Sequence, residues 1–500
     1  MNVCTDIFII GGGINGAAIA ADAAGRGLSV TLCEQSDLAS GTSSASSKLI
    51  HGGLRYLEQY EFGLVRHALQ EREIALKRAP HLVRALKFIL PQTGSRSAWF
   101  IRLGLFLYDH LTTHCSLPKS KSISLKNTCL IDSFKKGFSY YDCQTDDSRL
   151  VIENALLAAH QGARILPYTR FVSAHRDNDC WRIQCENSVS KKIEQHTARL
   201  LVNAAGAFVK EIHATIQGSD TTFDITLSQG SHIIVPAIDS SDVAYTLQAT
   251  DGRVIFMIPW QTHFTLIGTT DRATTQPASP KISDEEENYL IAESNRYLKQ
   301  PFSKKDILFS FSGIRCLQAA HQKNLADVSR DYQLLSDQKN RLFTVIGGKL
   351  TAHRLLAEQL VSQWKSIFPK MSPAWTANSI FPGGDFKNET QLRDDIRKKY
   401  PWVPEMLAMR YMALYGKRLF MLLEGSNSVL DLGEEISPYF YEKEVDFLIE
   451  HEWARTAEDI LWRRTKEGLV ISSENKEKLE IYIKKQHPHL LSSQKISRTA

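Results

Sequence analysis

The sequence has no run of about 18 apolar residues, so no segment is expected to cross a membrane as a helix. Cysteine is scarce, eight in 500 residues, and none is spaced Cys-x-x-Cys. That excludes a disulfide scaffold, leaves no zinc ligand set in view, and fits a reduced, cytoplasmic setting; no metal is expected. Charge of one sign is also missing, with 60 Lys and Arg against 55 Asp and Glu and a net charge of +5. A general nucleic-acid binder is thereby excluded, and no nucleic-acid partner is expected. There is no internal repeat, and no basic stretch precedes the first apolar run, so no signal peptide is expected. What is present is a 43% hydrophobic share, ample for several cores. At roughly 150 residues per domain, the length predicts about two to four domains.

The start of the chain carries the densest signal. Asp6–Ile10 is a short apolar run and reads as a buried strand. Gly11-Gly12-Gly13-Ile14-Asn15-Gly16 follows, then an alanine-rich helical segment closed by Gly25 and Gly27, then a second strand ending at Glu34. This β-α-β unit predicts a nucleotide site. Gly11, Gly13 and Gly16 let backbone approach a pyrophosphate at a helix N-terminus. Glu34, eighteen residues beyond Gly16, can accept hydrogen bonds from an adenosine ribose. Roughly 330 residues later, Gly347-Gly348-Lys349-Leu350-Thr351 again joins a strand to a helix start. Its amides and positive helix end suit the pyrimidine side of an isoalloxazine ring, though an ordinary turn of a parallel sheet reads equally well.

Between these motifs the pattern predicts a helix over 62–78, another over Arg149–His160, and a strand running into Ala204-Ala205-Gly206. Residues 223–317 turn β-rich, with a hairpin of Arg253–Pro259 and Phe264–Thr270 and a strand over Ile307–Arg315. Another strand is expected at Arg341–Ile346 and a helix at 350–364; after Phe381-Pro382-Gly383-Gly384 the tail is helical and charged. The fold class expected is α/β. A Rossmann-like dinucleotide-binding domain (1–80 with 127–222 and 318–370), whose fingerprint NAD and FAD share, accompanies a β-rich substrate-binding cap (81–126 with 223–317) and a helical C-terminal domain (385–500).

Three segments together carry a resemblance: Phe8–Gly16, the polar loop Thr42-Ser43-Ser44-Ala45-Ser46-Ser47-Lys48-Leu49-Ile50-His51-Gly52-Gly53-Leu54-Arg55-Tyr56, and Gly347–Thr351. They resemble the FAD-dependent glycerol-3-phosphate dehydrogenases, most nearly the bacterial aerobic, quinone-linked kind. The likeness extends through Ser231–Pro236, Gly268-Thr269-Thr270-Asp271 and Trp462-Arg463-Arg464-Thr465-Lys466. It implies oxidation of sn-glycerol 3-phosphate to dihydroxyacetone phosphate, with FAD as cofactor and a membrane quinone as acceptor. It implies that Gly11, Gly13, Ile14, Asn15, Gly16, Glu34, Thr42, Ser43, Ser47, Lys48, Leu49, His51, Gly206, Gly348, Lys349, Leu350 and Thr351 hold the cofactor. Arg55, Tyr56, Thr270, Arg315 and Lys349 are implied for the substrate. The sequence departs from the family where Ala207-Phe208 follow Gly206, where Cys316 follows Arg315, and at Ala352-His353.

The chemistry gives these residues roles. A phosphate near charge −2 needs cations, and arginine donates to it bidentately. Arg315, on an apolar strand, requires an anionic partner, for which substrate is a natural choice. The C2 hydroxyl proton needs an acceptor, and His232 is the candidate, against a purely structural histidine. Arg315 or Lys349 could instead polarise the alkoxide. Residues Trp99–Tyr108 are the most apolar aromatic stretch, inside a segment with Arg96, Arg102, Lys119, Lys121 and Lys126 against Asp109. This reads either as an interfacial anchor on anionic lipid at the inner face of the cell membrane or as a buried helix. A homodimer is allowed. The competing readings are a related oxidase using O₂ on glycerol 3-phosphate or an amine, and a non-catalytic FAD-stabilised binding protein.

Overall fold

A computed structural model describes residues 4–94, 97–112, 114–219, 221–278, 280–319 and 331–490. Arg96 of the basic segment lies outside them.

The chain shuttles between two sheets. It opens with β1 (Thr5–Ile10), α1 (Ile14–Gly25) and β2 (Val30–Cys33), with β1 and β2 parallel in register Ile7 to Val30. Ile7–Ile10 of β1 and all of β2 are buried because helices cover the sheet. The chain then crosses to the second sheet through α2 (Phe62–Arg78), β3 (Arg84–Pro91), α3 (Ala98–His110) and β4 (Lys136–Gln144). It returns through α4 (Asp147–His160) and the long β5 (Ile193–Asn203), whose C-terminal half lies parallel to β1. A second excursion makes β6 (Ile225–Pro236), β7 (Val254–Trp260), β8 (Phe264–Gly268), α5 (Asp284–Asn295) and β9 (Phe309–Gln318). The last return gives β10 (Leu342–Ile346), parallel to β5, and α6 (His353–Ser362).

Among the described residues the first sheet has nine strands and the second ten. The alanines of α1 are buried because the helix lies between α4 and α6; larger side chains would not fit between three helices. The second sheet is antiparallel around β6, which pairs with β8 and over its whole length with β9. The expected hairpin forms as β7 and β8 in register Trp260 to Phe264. One boundary is corrected. Residues 127–144 were expected in the nucleotide domain, but β4 pairs with β3 from Arg84 to Pro91 and belongs to the substrate sheet. Strand alternation reveals which face is buried, not which sheet a strand joins.

Helices from Glu389 onward form a separate core around Leu407, Tyr411, Tyr415 and Leu448. This C-terminal unit is tied to the nucleotide domain by buried ion pairs. Arg149 on α4 meets Glu452 at 3.1 Å, and Arg464 grips Asp37 with two bonds of 2.8 Å. Among the described residues, no helix is long and apolar enough to cross a membrane. α3 is amphipathic: Leu105 and Tyr108 are buried, while Trp99, Phe100 and Phe106 are 72%, 47% and 51% exposed. It is therefore both a core helix and an outward-facing aromatic surface.

Candidate active site

A cavity of about 920 Å³ runs between the two sheets. Its lining includes Glu34 and Thr169–Phe171, the Gly11–Asn15 turn and the 40–49 loop, together with Arg55, Tyr56, His232, Thr269, Arg315 and Lys349.

The nucleotide end is built from steric necessity. A Cβ on Gly16 would lie 1.9 Å from the Gly11 carbonyl oxygen, and Gly11 itself has φ +109°. Only glycines allow β1 to turn this sharply into α1. The first turn of α1 contains no acidic residue and Gly13 provides no side-chain cap, so its positive end is available to an anion. The Ile14 amide donates to Ser43 Oγ at 3.0 Å, which holds the 42–48 loop over the turn. Glu34 accepts from the Gly12 and Ser36 amides at 2.8 and 3.0 Å; burial pushes its carboxyl up, and those amides oppose the shift. Thr42 bonds the Ile314 carbonyl at 2.6 Å, fastening the same loop to β9.

The late glycine turn meets the early one. Asn15 Nδ2 donates to the Gly347 carbonyl at 2.9 Å, and Asn15 Oδ1 is buried without a partner. Gly348 has φ +101°, and a Cβ there would press on Asn15. Gly206 (φ +57°) and Leu49 line the same space, and the His51 amide donates to Thr351 Oγ1 at 3.3 Å. An elongated cavity with an anion-ready helix end, an orphaned amide oxygen and a second glycine turn beside it fits a dinucleotide with a flat ring. The departure at His353 is structural: its Nδ1 bonds the Leu350 carbonyl at 2.7 Å, and burial brings its pKa down to about 3. Cys316 is likewise a buried packing residue, its thiol pushed up by burial to about 11.

Elsewhere on the cavity wall, Arg315 NH2 donates to Thr269 Oγ1 at 2.8 Å, and NH1 reaches the Thr270 carbonyl at 3.4 Å and Asp271 at 3.6 Å. The anion expected for Arg315 is thus supplied by the protein, with Asp271 steadied by Ser228. Lys349 Nζ stands 3.9 Å over the Tyr56 ring, and Arg55 is exposed on the cavity wall.

Thr270 differs from expectation. Its side chain is buried, and its hydroxyl donates to Glu286 at 2.5 Å while accepting from the Ser231 amide. Thr269 is therefore the residue whose hydroxyl works beside Arg315. Lys48 is also committed elsewhere: its ammonium is buried, 2.8 Å from Asp147 and 2.9 Å from the Ser44 carbonyl, and shapes the 42–48 loop.

His232 is buried, with Nε2 2.9 Å from Ser47 Oγ and its ring stacked 5.0 Å from Phe311. Burial, then Arg315 and Lys48, holds its pKa well below the usual histidine value. The imidazole is therefore neutral at pH 7, as a proton acceptor must be.

Glu286, Asp271 and Asp147 were missed by sequence reasoning. Ser283-Asp284-Glu285-Glu286 does form a capping box at the start of α5, a pattern visible in the sequence. Two strand glycines were further signals. A Cβ on Gly230 would meet Arg315 NH2 at 2.1 Å, and one on Gly268 would meet the His232 ring at 2.1 Å.

Comparison with known proteins agrees with this geometry. Residues 6–358 match the family model described as FAD dependent oxidoreductase, and residues 374–489 match the C-terminal domain of alpha-glycerophosphate oxidase. A glycerol-3-phosphate dehydrogenase of Pseudomonas aeruginosa is 46% identical over 97% of this chain and 96% of its own. The aerobic glycerol-3-phosphate dehydrogenase of Escherichia coli is 43% identical over 96% and 97%. A D-erythritol 1-phosphate dehydrogenase of Brucella abortus is 46% identical over 93% and 94%. The solved structure of a glycerol-3-phosphate dehydrogenase from Bacillus halodurans complexed with FAD shares the fold, with a TM-score of 0.73 and 24% identity over 99% of this chain and 97% of that one.

Proposed function

Because the chain belongs to the FAD-dependent oxidoreductases, in the glycerol-3-phosphate dehydrogenase branch, we propose that it oxidises sn-glycerol 3-phosphate at C2 to dihydroxyacetone phosphate and delivers the electrons to a quinone at a lipid surface. The cofactor is FAD. Gly11, Gly13 and Gly16 would hold its pyrophosphate, Glu34 its ribose, and Asn15 with Gly348–Thr351 its ring. When bound, FAD supplies the two-electron acceptor for the hydride that leaves C2.

The observation that carries the reading is that Arg315, Lys349, Arg55 and neutral His232 line the same cavity as the nucleotide turn. Arg315 and Arg55 bind the substrate phosphate, with Thr269 orienting the Arg315 fork. Lys349, backed by the Tyr56 ring, stabilises negative charge on the C2 oxygen. His232 Nε2 accepts the hydroxyl proton, and Ser47 shares that nitrogen. Phe256 and Trp260 line the same cavity and exclude water.

The quinone and the membrane rest on α3. Its Trp99, Phe100 and Phe106 are exposed, as are Lys119, Lys121 and Lys126 in the segment that follows, a combination suited to the interface of an anionic bilayer. A tetritol phosphate is the second reading of the substrate, favoured by the Brucella abortus relative.

Steady-state oxidation with a soluble quinone tests both parts. Glycerol 3-phosphate should exceed glycerol and erythritol 1-phosphate in kcat/KM, and anionic liposomes should raise the rate with a membrane quinone. Preference for erythritol 1-phosphate would transfer the assignment to the second reading; activity on glycerol equal to that on its phosphate would refute the phosphate pocket.

A further inference from the structure

The C-terminal domain reaches the active-site cavity through one short stretch. Asp459–Arg464 forms a π-helical turn, a geometry that recurs where a helix is locally distorted for function. Trp462 and Lys466 then line the cavity beside residues of both other domains. Lys466 is buried in the left-handed conformation, φ +65°.

Two lines of contact lead from this stretch to His232. The first is aromatic. Trp462 stacks on Phe309 at 4.2 Å and 18°, at the start of β9. Two residues along the same strand, Phe311 stacks on the His232 ring at 5.0 Å and 14°. The second is ionic. Lys466 Nζ lies 3.0 Å from Asp146 and donates to Ser148, at the N-terminus of α4. The next residue, Asp147, accepts from the Ser46 amide at 3.0 Å, from Ser46 Oγ at 2.7 Å and from Lys48 Nζ at 2.8 Å. Ser47, held between Ser46 and Lys48, makes the hydrogen bond to His232 Nε2.

The imidazole is thus located on its face by Phe311 and at its edge by Ser47, and the C-terminal domain holds the neighbours of each, Phe309 on the same strand and Asp146 and Ser148 beside Asp147. We propose that Trp462 and Lys466 are positioning residues for His232, so that the C-terminal domain completes the catalytic site. This rests on the reading of His232 as the proton acceptor. A buried cation–carboxylate pair that served only domain cohesion would not need to sit against the loop that holds the base, nor would its aromatic neighbour need to share a strand with Phe311.

The test uses the FAD-loaded enzyme and five variants: Lys466→Met, Asp146→Asn with Lys466→Met, Trp462→Leu, His232→Asn, and Lys466→Met in the His232→Asn background. Three quantities are read: the rate of anaerobic flavin bleaching at saturating glycerol 3-phosphate, the substrate concentration for half-maximal rate, and amide hydrogen exchange of residues 42–50. Lys466→Met should slow bleaching tenfold or more, leave half-saturation within twofold, and speed exchange in the 42–50 segment. Removing the stranded carboxylate as well should restore both to within threefold, because a neutral pair no longer pulls on the start of α4. In the His232→Asn background Lys466→Met should cost less than twofold. Trp462→Leu leaves the charges intact and should slow bleaching without altering exchange at 42–50, which keeps the proposal testable if Lys466→Met does not fold. Bleaching at the parent rate in Lys466→Met and Trp462→Leu, or an equal loss with and without His232, would overturn the positioning role. His232→Asn bleaching at the parent rate would instead overturn the assignment of the base, and the positioning role with it.

Discussion

Replacing Arg315 with alanine should destroy discrimination for the phosphorylated substrate. In the structure the guanidinium is aimed rather than loose: Thr269 and the Thr270 carbonyl hold its two ends, and Asp271 at 3.6 Å balances its charge. Truncating one partner of a desolvated charge pair costs roughly 2–5 kcal/mol. The side chain is 23% exposed, so the lower part of that range applies, about 2–3 kcal/mol, or about 30–150-fold in kcat/KM at 1.4 kcal/mol per decade. Arg315→Lys keeps a point charge without the fork and should lose about tenfold. Asp271 adds a second signature. Once the arginine is gone, this carboxylate faces the substrate phosphate, so Asp271→Asn on the Arg315→Ala background should recover part of the loss. The assay is steady-state oxidation of glycerol 3-phosphate and of glycerol by each variant. An Arg315→Ala enzyme that keeps the parent's preference for the phosphate would refute the placement of the phosphate pocket, whatever the absolute rates.

Four further outcomes follow from the same geometry. His232→Asn should slow the chemical step by about 10²–10⁴-fold with little change in KM, measured by stopped-flow bleaching. Because burial, Arg315 and Lys48 hold the His232 pKa well below 6.5, the parent rate should stay level as pH falls through 6.5 and decline only nearer the depressed value; a decline centred on 6.5 would contradict a buried base. Gly16→Ala should yield colourless protein, since its Cβ would lie 1.9 Å from the Gly11 carbonyl oxygen and force the turn open; full FAD content by absorbance would rule that out. Replacing Trp99, Phe100 and Phe106 together with serine should weaken binding to anionic liposomes at least about tenfold in a sedimentation assay, while anaerobic bleaching stays intact, because these side chains already face solvent.

The parts of the site legible in the sequence are those dictated by local geometry. Gly11–Gly16 and Glu34 belong to one β-α-β unit, so their spacing alone fixes their relation. The Gly347-Gly348 turn was visible as a turn, but its meeting with Asn15 depends on two strands placed on either side of β5. The supporting carboxylates were not legible. Asp147 serves Lys48 across 99 residues, and Asp271 serves Arg315 across 44, through sheet pairings that no local pattern encodes. Thr269 and Thr270 stand side by side in the sequence, and only the buried Glu286 on α5 decides which hydroxyl is taken. The misassigned β4 has the same origin, because its apolar residues fit either sheet and its pairing with β3, Leu49–Ile50 and Lys121–Ser124 determines the answer.

Anaerobic titration of the purified protein with glycerol 3-phosphate tests the central claim most directly. The yellow absorbance of bound flavin should be bleached by one equivalent of glycerol 3-phosphate per flavin, with dihydroxyacetone phosphate formed in equal amount, and glycerol at the same concentration should leave the colour unchanged. Flavin that stays oxidised under excess glycerol 3-phosphate, or that is bleached as readily by glycerol, would contradict the account.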